Sequence, residues 1–214
     1  PNPVSARFLA IQDRLFWAET LENGVVSADT LDFHNNIALW QGDIARLAAD
    51  AIVNAANSSL LGCFIPHHKC IDNVIHSRAG VQLRLDCSRI MGMQGEPEPA
   101  GCAKITLGYN LPAKYVIHTV GPMVGVTPSE RDARTLRNCY VSCLNLAKEM
   151  RLESIAFCCI STGIFGYPND EAAEIAVGAV RNWLLETGYE IKVIFDVFLD
   201  KDRTLYADIL KGLG

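Results

Sequence analysis

Short apolar runs alternate with helix-like patterns through most of this chain, and that alternation constrains the fold more than any other feature. Strands are expected at Ile37–Gln41 and near 51–54, 102–108, 114–120, 154–160 and 191–199. Amphipathic stretches between them read as helices near 70–93, 131–150, 169–187 and 202–211, with a short one from Ile44 to Ala49. Strands separated by crossover helices pair in parallel, and the helices must cover the sheet. The expectation is an α/β fold with a largely parallel sheet and helices on both faces. Half of the 214 residues are hydrophobic, enough for a sizeable core. Neither an internal repeat nor a low-complexity linker marks a second catalytic domain.

Residues 1–36 read as an extension to a domain covering 37–214. Val4, Phe8, Leu9, Ile11, Leu15 and Phe16 recur at helical spacing and predict one amphipathic helix, which packs on the main domain or meets a partner. A second short helical piece is expected around Ala28–Leu31. Glycines and prolines make loops of Gly92–Gly101 and Gly121–Ser129.

Several function classes drop out at this point. No apolar run approaches the roughly 20 residues that cross a bilayer, and no secretory pattern is present. A net charge of −5 argues against binding bulk nucleic acid. The eight cysteines are scattered, without the spacing of a small disulfide scaffold, so reduced thiols in a cytoplasmic setting are expected.

Ala51–Ala79 concentrates the chemistry. An apolar run, Ala51-Ile52-Val53, breaks into Asn54-Ala55-Ala56-Asn57-Ser58-Ser59, where small polar side chains favour a turn. Cys63, His67, His68 and Cys70 follow within eight residues, and then a helix with Ile71, Val74, Ile75 and Ala79 on one face. In α/β proteins ligands bind beyond the carboxyl ends of strands, which is where these groups fall. Thiolate and imidazole are donors zinc prefers, and three ligands with an open position is the catalytic pattern. The alternative is that Cys63 and Cys70 are small packing residues and the histidines are solvated.

A second loop, Ser161-Thr162-Gly163-Ile164-Phe165-Gly166-Tyr167-Pro168, joins an apolar strand to a helix. Its glycines allow close backbone approach, and successive N–H groups can cradle a phosphate beside a helix N-terminus. A plain strand-to-helix turn explains it equally well. Asp43, just after the first strand, could accept a hydrogen bond from a base amine or cap a helix. Asp72 lies in the first turn of the helix after the cysteine loop, where helix-terminus electrostatics also favours an acid. Cys139 and Cys143, four apart on a helix, are expected to pack, as are Cys158 and Cys159 in an apolar strand. Cys87 and Cys102 have no ligand-type neighbours in sequence, and His118 reads as a satisfied sheet histidine.

Taken together, Gly42-Asp43-Ile44, Asn54-Ala55-Ala56-Asn57 and the 161–168 loop resemble the ligand loops of a macrodomain, of the MacroD-type ADP-ribosyl hydrolases, over roughly residues 37–211. Val197-Phe198-Leu199-Asp200-Lys201-Asp202 is similar too. The usual glycine run after the first asparagines is replaced here by Gly62–Cys70, while Asp72 and Ile75-His76 are kept. That replacement, with an N-terminal helical extension, resembles the zinc-containing macrodomains. The resemblance implies a three-layer α/β/α fold with a mixed, largely parallel sheet.

It further implies that Asp43 binds the adenine amine, Ile44 lies alongside and Phe198 stacks on the base. Ser161, Thr162, Gly163, Ile164, Phe165, Gly166 and Tyr167 would hold the diphosphate, with Phe165 shaping the distal-ribose pocket and Asn57 binding that ribose. Zn2+ would sit on Cys63, His68 and Cys70; physics alone does not choose His68 over His67. Zinc either activates water itself or polarises an oxygen while Asp72 handles the water. The activity implied is removal of ADP-ribose from a protein side chain, most simply an acidic-residue ester. A lipoyl-carrier protein resembling glycine-cleavage protein H is a further partner the resemblance suggests. A non-catalytic ADP-ribose reader and an O-acetyl-ADP-ribose deacetylase are the rival readings.

Overall fold

The first strand of the domain, β2 (Ile37–Gln41), is not the centre of the sheet but one edge of it. In the computed structural model, which describes residues 4–66 and 68–212, the other sheet strands are β4 (Ala51–Ala55), β5 (Ala103–Leu107), β6 (Tyr115–Thr119), β7 (Ser154–Phe157) and β8 (Lys192–Val197). They lie in the order β2-β8-β7-β4-β6-β5. All neighbours pair in parallel except β5 with β6, so the sheet is mixed and largely parallel, as expected. The inner strands β4, β6, β7 and β8 are buried almost throughout, which is why they read as continuous apolar runs rather than alternating ones.

Helices α2 (Ile71–Ala79) and α3 (Val81–Gln94) form one outer layer, and α4 (Glu130–Glu149), α5 (Asn169–Thr187) and α6 (Asp200–Lys211) form the other. On the second side Tyr140 of α4 meets Phe157, and Tyr206 of α6 meets Phe195, with ring centroids 5.0 and 5.1 Å apart. Cys139 and Cys143 are fully buried packing residues, as anticipated. A capping box between Ser129 and Asp132 starts α4.

Four sequence expectations change. The helix expected over 70–93 is two helices, broken at Gly80, whose φ of +95° only glycine adopts easily. Ile44–Ala49 is a 3-10 turn, Ile44–Arg46, followed by the short strand β3 (Leu47–Ala48). That strand pairs in parallel with β1 (Val26–Ser27), so the extension is stitched into the domain by backbone bonds. The strand expected over 154–160 stops at Phe157, which frees the next residues to face the sheet's end.

The fourth change concerns α1 (Ala6–Asn23). Its apolar residues are expected to make the packing face, and Val4, Leu9 and Phe16 are half-buried, yet Phe8, Ile11 and Leu15 are exposed while Gln12 and Thr20 are buried. The reason lies at the helix break. The first amide of α3 has no side-chain cap from Gly80, and Gln12 Oε1 accepts it at 3.0 Å. Gln12 also donates to Gln82 at 2.6 Å, and Asp13 accepts from Gln82 and Asn110. An otherwise orphaned helix N-terminus thus draws Gln12 and Asp13 of α1 inward, beside Leu9 and Phe16.

Candidate functional site

Helix α2 sets the length of the site. Cys70 is its N-cap, and Arg78 in its last turn reaches Asp43, with guanidinium and carboxylate 2.9 Å apart. Eight residues of helix place these two ends about 12 Å apart. Along this wall, beyond the carboxyl ends of β2, β4, β7 and β8, runs a cleft with a volume of about 640 Å³. That size is within the range of small-molecule sites, and the position at the strand ends is where α/β sheets bind ligands.

The cleft gathers most of the residues singled out in the sequence. Asp43, Ile44, Asn57, Asp72, Cys63, His68 and Cys70 line it, as do Ser161–Phe165 and Phe198. Gly166 and Tyr167 do not: Gly166 closes a turn onto the Gly163 carbonyl, and the Tyr167 side chain is buried in the core. Their expected place against the ligand is therefore corrected to a supporting one. His67 lies outside the described residues.

At one end, Asp43 takes the capping role foreseen for it without leaving the cleft. It caps the 3-10 turn by accepting from Ala45 N at 3.1 Å, and it still faces the cleft. Phe198 is 74% exposed on the rim, an aromatic face held open to solvent. Beneath them lies Asp196, buried and also on the cleft, with no partner for its Oδ1 atom. Burial and the neighbouring Asp43 charge push its carboxyl up to about 9. Cys158 and Cys159 line this floor too, a correction to their expected place wholly inside a strand.

In the middle, the 161–166 loop turns sharply: Ser161 has φ +66° and Gly166 φ +72°. The N–H groups of Gly166 and Tyr167 are used inside the loop, on Gly163 O and Ser161 O. Those of residues 163–165 make no backbone hydrogen bond among the described residues, and these residues line the cleft. A Cβ on Gly163 would meet nothing within 4 Å, so the glycine is not demanded by the protein's own packing.

At the other end lies a buried polar chain. Asn54 donates to Asp72 Oδ1 at 2.8 Å, and Asn57 donates to Asp72 Oδ2 at 3.2 Å and to Gly62 O at 3.1 Å. Burial pushes the Asp72 carboxyl up; the Asn54 donor and the Arg84 charge pull it back. A carboxylate accepts only, so Asn54 must present its NH2 group. The same group meets His118 Nδ1 at 3.2 Å, which makes Nδ1 the acceptor and puts the His118 proton on Nε2, toward Thr106 Oγ1 at 3.0 Å. Burial holds His76 and His118 neutral, at about 4 and about 3. The contact between His76 Nε2 and Asp72, 3.6 Å, is therefore not an ion pair at neutral pH.

Two clusters of soft donors adjoin this chain. Cys63, His68 and Cys70 bring their ligand atoms within 4.8 Å of one another, with Cys63 Sγ 3.3 Å from His68 Nδ1. This two-sulfur, one-nitrogen set at the cleft wall fits zinc by donor type and leaves a side open to ligand. The second cluster, His76, Cys87 and His118, is wholly buried and shows that Cys87 does have ligand-type neighbours. There the Nε2 proton of His118 faces inward and Arg84 adds positive charge, so the set is a polar support for Asp72 rather than a cation site.

Sequence reasoning missed Asn54, Arg78, Arg84 and Asp196. Asn54 carried a signal, an asparagine inside an apolar strand; the others became visible only through their partners.

The fold and cleft define a class: an α/β domain with a ligand-sized cleft across its strand ends and a zinc-type donor set at one extremity. A model of the Macro domain matches residues 53–176. A protein-ADP-ribose hydrolase of Staphylococcus aureus (strain MRSA252) is 53% identical over 208 residues, spanning 96% of this chain and 78% of that protein. A protein-ADP-ribose hydrolase of Treponema medium is 47% identical over 215 residues, spanning 98% and 82%. The crystal structure of a Trypanosoma brucei macrodomain in complex with ADP-ribose aligns with a TM-score of 0.77 at 32% identity, covering all of this chain and 92% of that one. The chain belongs to the macrodomain family.

Proposed function

We propose that this macrodomain hydrolyses the bond between the distal ribose of ADP-ribose and a protein side chain, an ester of an acidic residue, with zinc on Cys63, His68 and Cys70. The observation that carries the reading is the juxtaposition along α2. Asp72 and its asparagine donors stand beside the Cys-His-Cys set at one end, and Asp43 with Phe198 stands at the other. Relatives named as protein-ADP-ribose hydrolases, and a relative's complex with ADP-ribose, support the ligand and the reaction class.

In this reading Asp43 accepts from the adenine amine, Phe198 stacks on the base, and the N–H groups of residues 163–165 receive the diphosphate. Asn57 fixes Asp72 and the Gly62 carbonyl together, so it aligns the acid with the start of the cysteine loop. Asp72, held by two amide donors, orients the attacking water at the ribose end. When bound, zinc supplies Lewis acidity at that same end. A reducing, cytoplasmic setting suits two thiols that must stay available to a metal.

The test is release of free ADP-ribose from a protein mono-ADP-ribosylated on glutamate, comparing zinc-loaded protein with chelated protein. Rapid release only by the loaded protein is expected. A protein that binds ADP-ribose tightly yet releases none is a reader module. One that cleaves only O-acetyl-ADP-ribose is a deacetylase.

A further inference from the structure

The loop that carries the cysteines also carries two apolar side chains that the site does not bury. Phe64 is 67% exposed and Ile65 57%, and across the cleft mouth Ile164 is 71% exposed. Large apolar groups held in water around a cleft mark a contact surface rather than a random exposure.

Three features show that Phe64 is presented, not loose. The Arg84 guanidinium lies over its ring, 4.7 Å from the centroid. Arg84 is itself held by the Leu61 carbonyl, to which its Nε donates at 2.8 Å. Asn73, from the first turn of α2, donates to the carbonyls of both Cys63 and Ile65, at 3.3 and 3.2 Å, bracketing residue 64. An aromatic side chain whose backbone and ring are both fixed gives up little entropy on contact, the condition for an anchor.

The exposed charge on the loop is one-sided, the neighbouring Asp72 being buried. From Leu60 to Ile71 there is no aspartate or glutamate, while Lys69 is exposed and Arg84 is adjacent, on a protein whose net charge is −5. The collar is thus apolar and basic, and it is continuous with the end of the cleft where Asp72 and the cysteine loop stand.

We infer that this collar docks the polypeptide that carries the ADP-ribose, with an apolar residue of that polypeptide against Phe64 and acidic residues beside Lys69. The inference rests on the hydrolase reading: a bond cut at the cysteine-loop end leaves the modified protein over residues 64 and 65. The occupant is the substrate's own acidic, apolar-flanked segment, chosen by the charge of the collar and its continuity with the cleft.

The experiment compares two probes on the full chain loaded with zinc. One is a peptide mono-ADP-ribosylated on glutamate, with leucine and glutamate flanking the modified residue; the other is O-acetyl-ADP-ribose, which has no polypeptide. Phe64→Ser is expected to raise KM for the peptide about tenfold and to leave the small ester within about twofold. Phe64→Leu, which keeps an apolar surface, restores the peptide. Replacing the flanking glutamates by lysine weakens the wild-type reaction at low salt.

An unchanged peptide KM in Phe64→Ser overturns the inference. So does a parallel fall on both probes, which makes Phe64 a prop for the loop. So does a wild type that cleaves only the small ester. In the first two cases wild-type hydrolysis of the peptide leaves the hydrolase reading standing. A wild type silent on both probes removes that reading, and the docking inference with it.

Discussion

Arg78 lies 2.9 Å from the Asp43 carboxylate, so the acid at one end of the cleft is held in place by the helix that frames the other end. On the proposed reading an adenine amine would meet a positioned, partly exposed acceptor rather than a free one. Asp43→Ala is expected to weaken ADP-ribose binding by about 1.5–3 kcal/mol, as for loss of a charge-assisted hydrogen bond. Arg78→Ala, which keeps the acceptor, should cost less. Both should keep their zinc. Titration calorimetry decides, and an unaltered affinity in Asp43→Ala removes this residue from the ligand's contacts.

Gly163 faces open space, so the fold itself has room for a side chain there. Gly163→Glu is expected to unfold at the wild-type urea concentration but to bind ADP-ribose at least about tenfold more weakly, through bulk and like charge against the diphosphate. Retained binding would make the 161–166 loop an ordinary turn.

The donor set predicts an asymmetric outcome. Cys70→Ala and His68→Ala should lower zinc content and abolish hydrolysis, with ADP-ribose affinity within about tenfold, roughly 1.4 kcal/mol. His67→Ala should keep both metal and activity. Elemental analysis beside a turnover assay separates these outcomes. If Cys70→Ala hydrolysed the modified protein at the wild-type rate, zinc would have no catalytic part and Asp72 with Asn57 would carry the reaction.

Asn54 is fully buried and serves Asp72 and His118 at once. Asn54→Ala leaves an acid and an imidazole without the amide donor they share. A loss of about 1–3 kcal/mol is expected in equilibrium urea unfolding. A change under about 0.5 kcal/mol would mean that the polar chain is not holding this part of the core.

Asp196 gives a pH dependence with a defined sign. Its carboxyl stays protonated in the native protein up to about 9, against 3.8 as the ordinary value it regains on unfolding. Between those values the unfolded chain binds fewer protons than the folded one, so stability falls as pH rises through that window. Asp196→Asn keeps the shape and removes the titration. It should raise stability near neutral pH by about 1 kcal/mol or more and flatten the decline. Parallel pH profiles of the urea midpoint for the two proteins would contradict this.

The sequence alone determined the class of fold and many of the residues that line the cleft, though not Arg78 or Asp196. Apolar runs report which segments must leave water, and their alternation with helices leaves few ways to arrange a sheet. The ligand loops are legible because each is local: Gly42-Asp43-Ile44, Asn54–Asn57, Ser161–Phe165 and the Cys63–Cys70 insert each lie within a few residues. Only the tertiary structure decided what joins them. The amphipathic pattern across 70–93 does not reveal the break at Gly80, because the apolar face continues through it. The same break altered the inner face of α1: Gln12, bonded to the uncapped amide of Val81, is buried beside the half-buried Leu9 and Phe16, while Phe8, Ile11 and Leu15 stay exposed. Asn54 meets His118 because β4 and β6 pair in register, and Asp43 meets Arg78 because α2 crosses the end of the sheet. Hydrophobic periodicity carries no information on such pairs. They depend on strand order and helix direction, and those are settled only when the whole core packs.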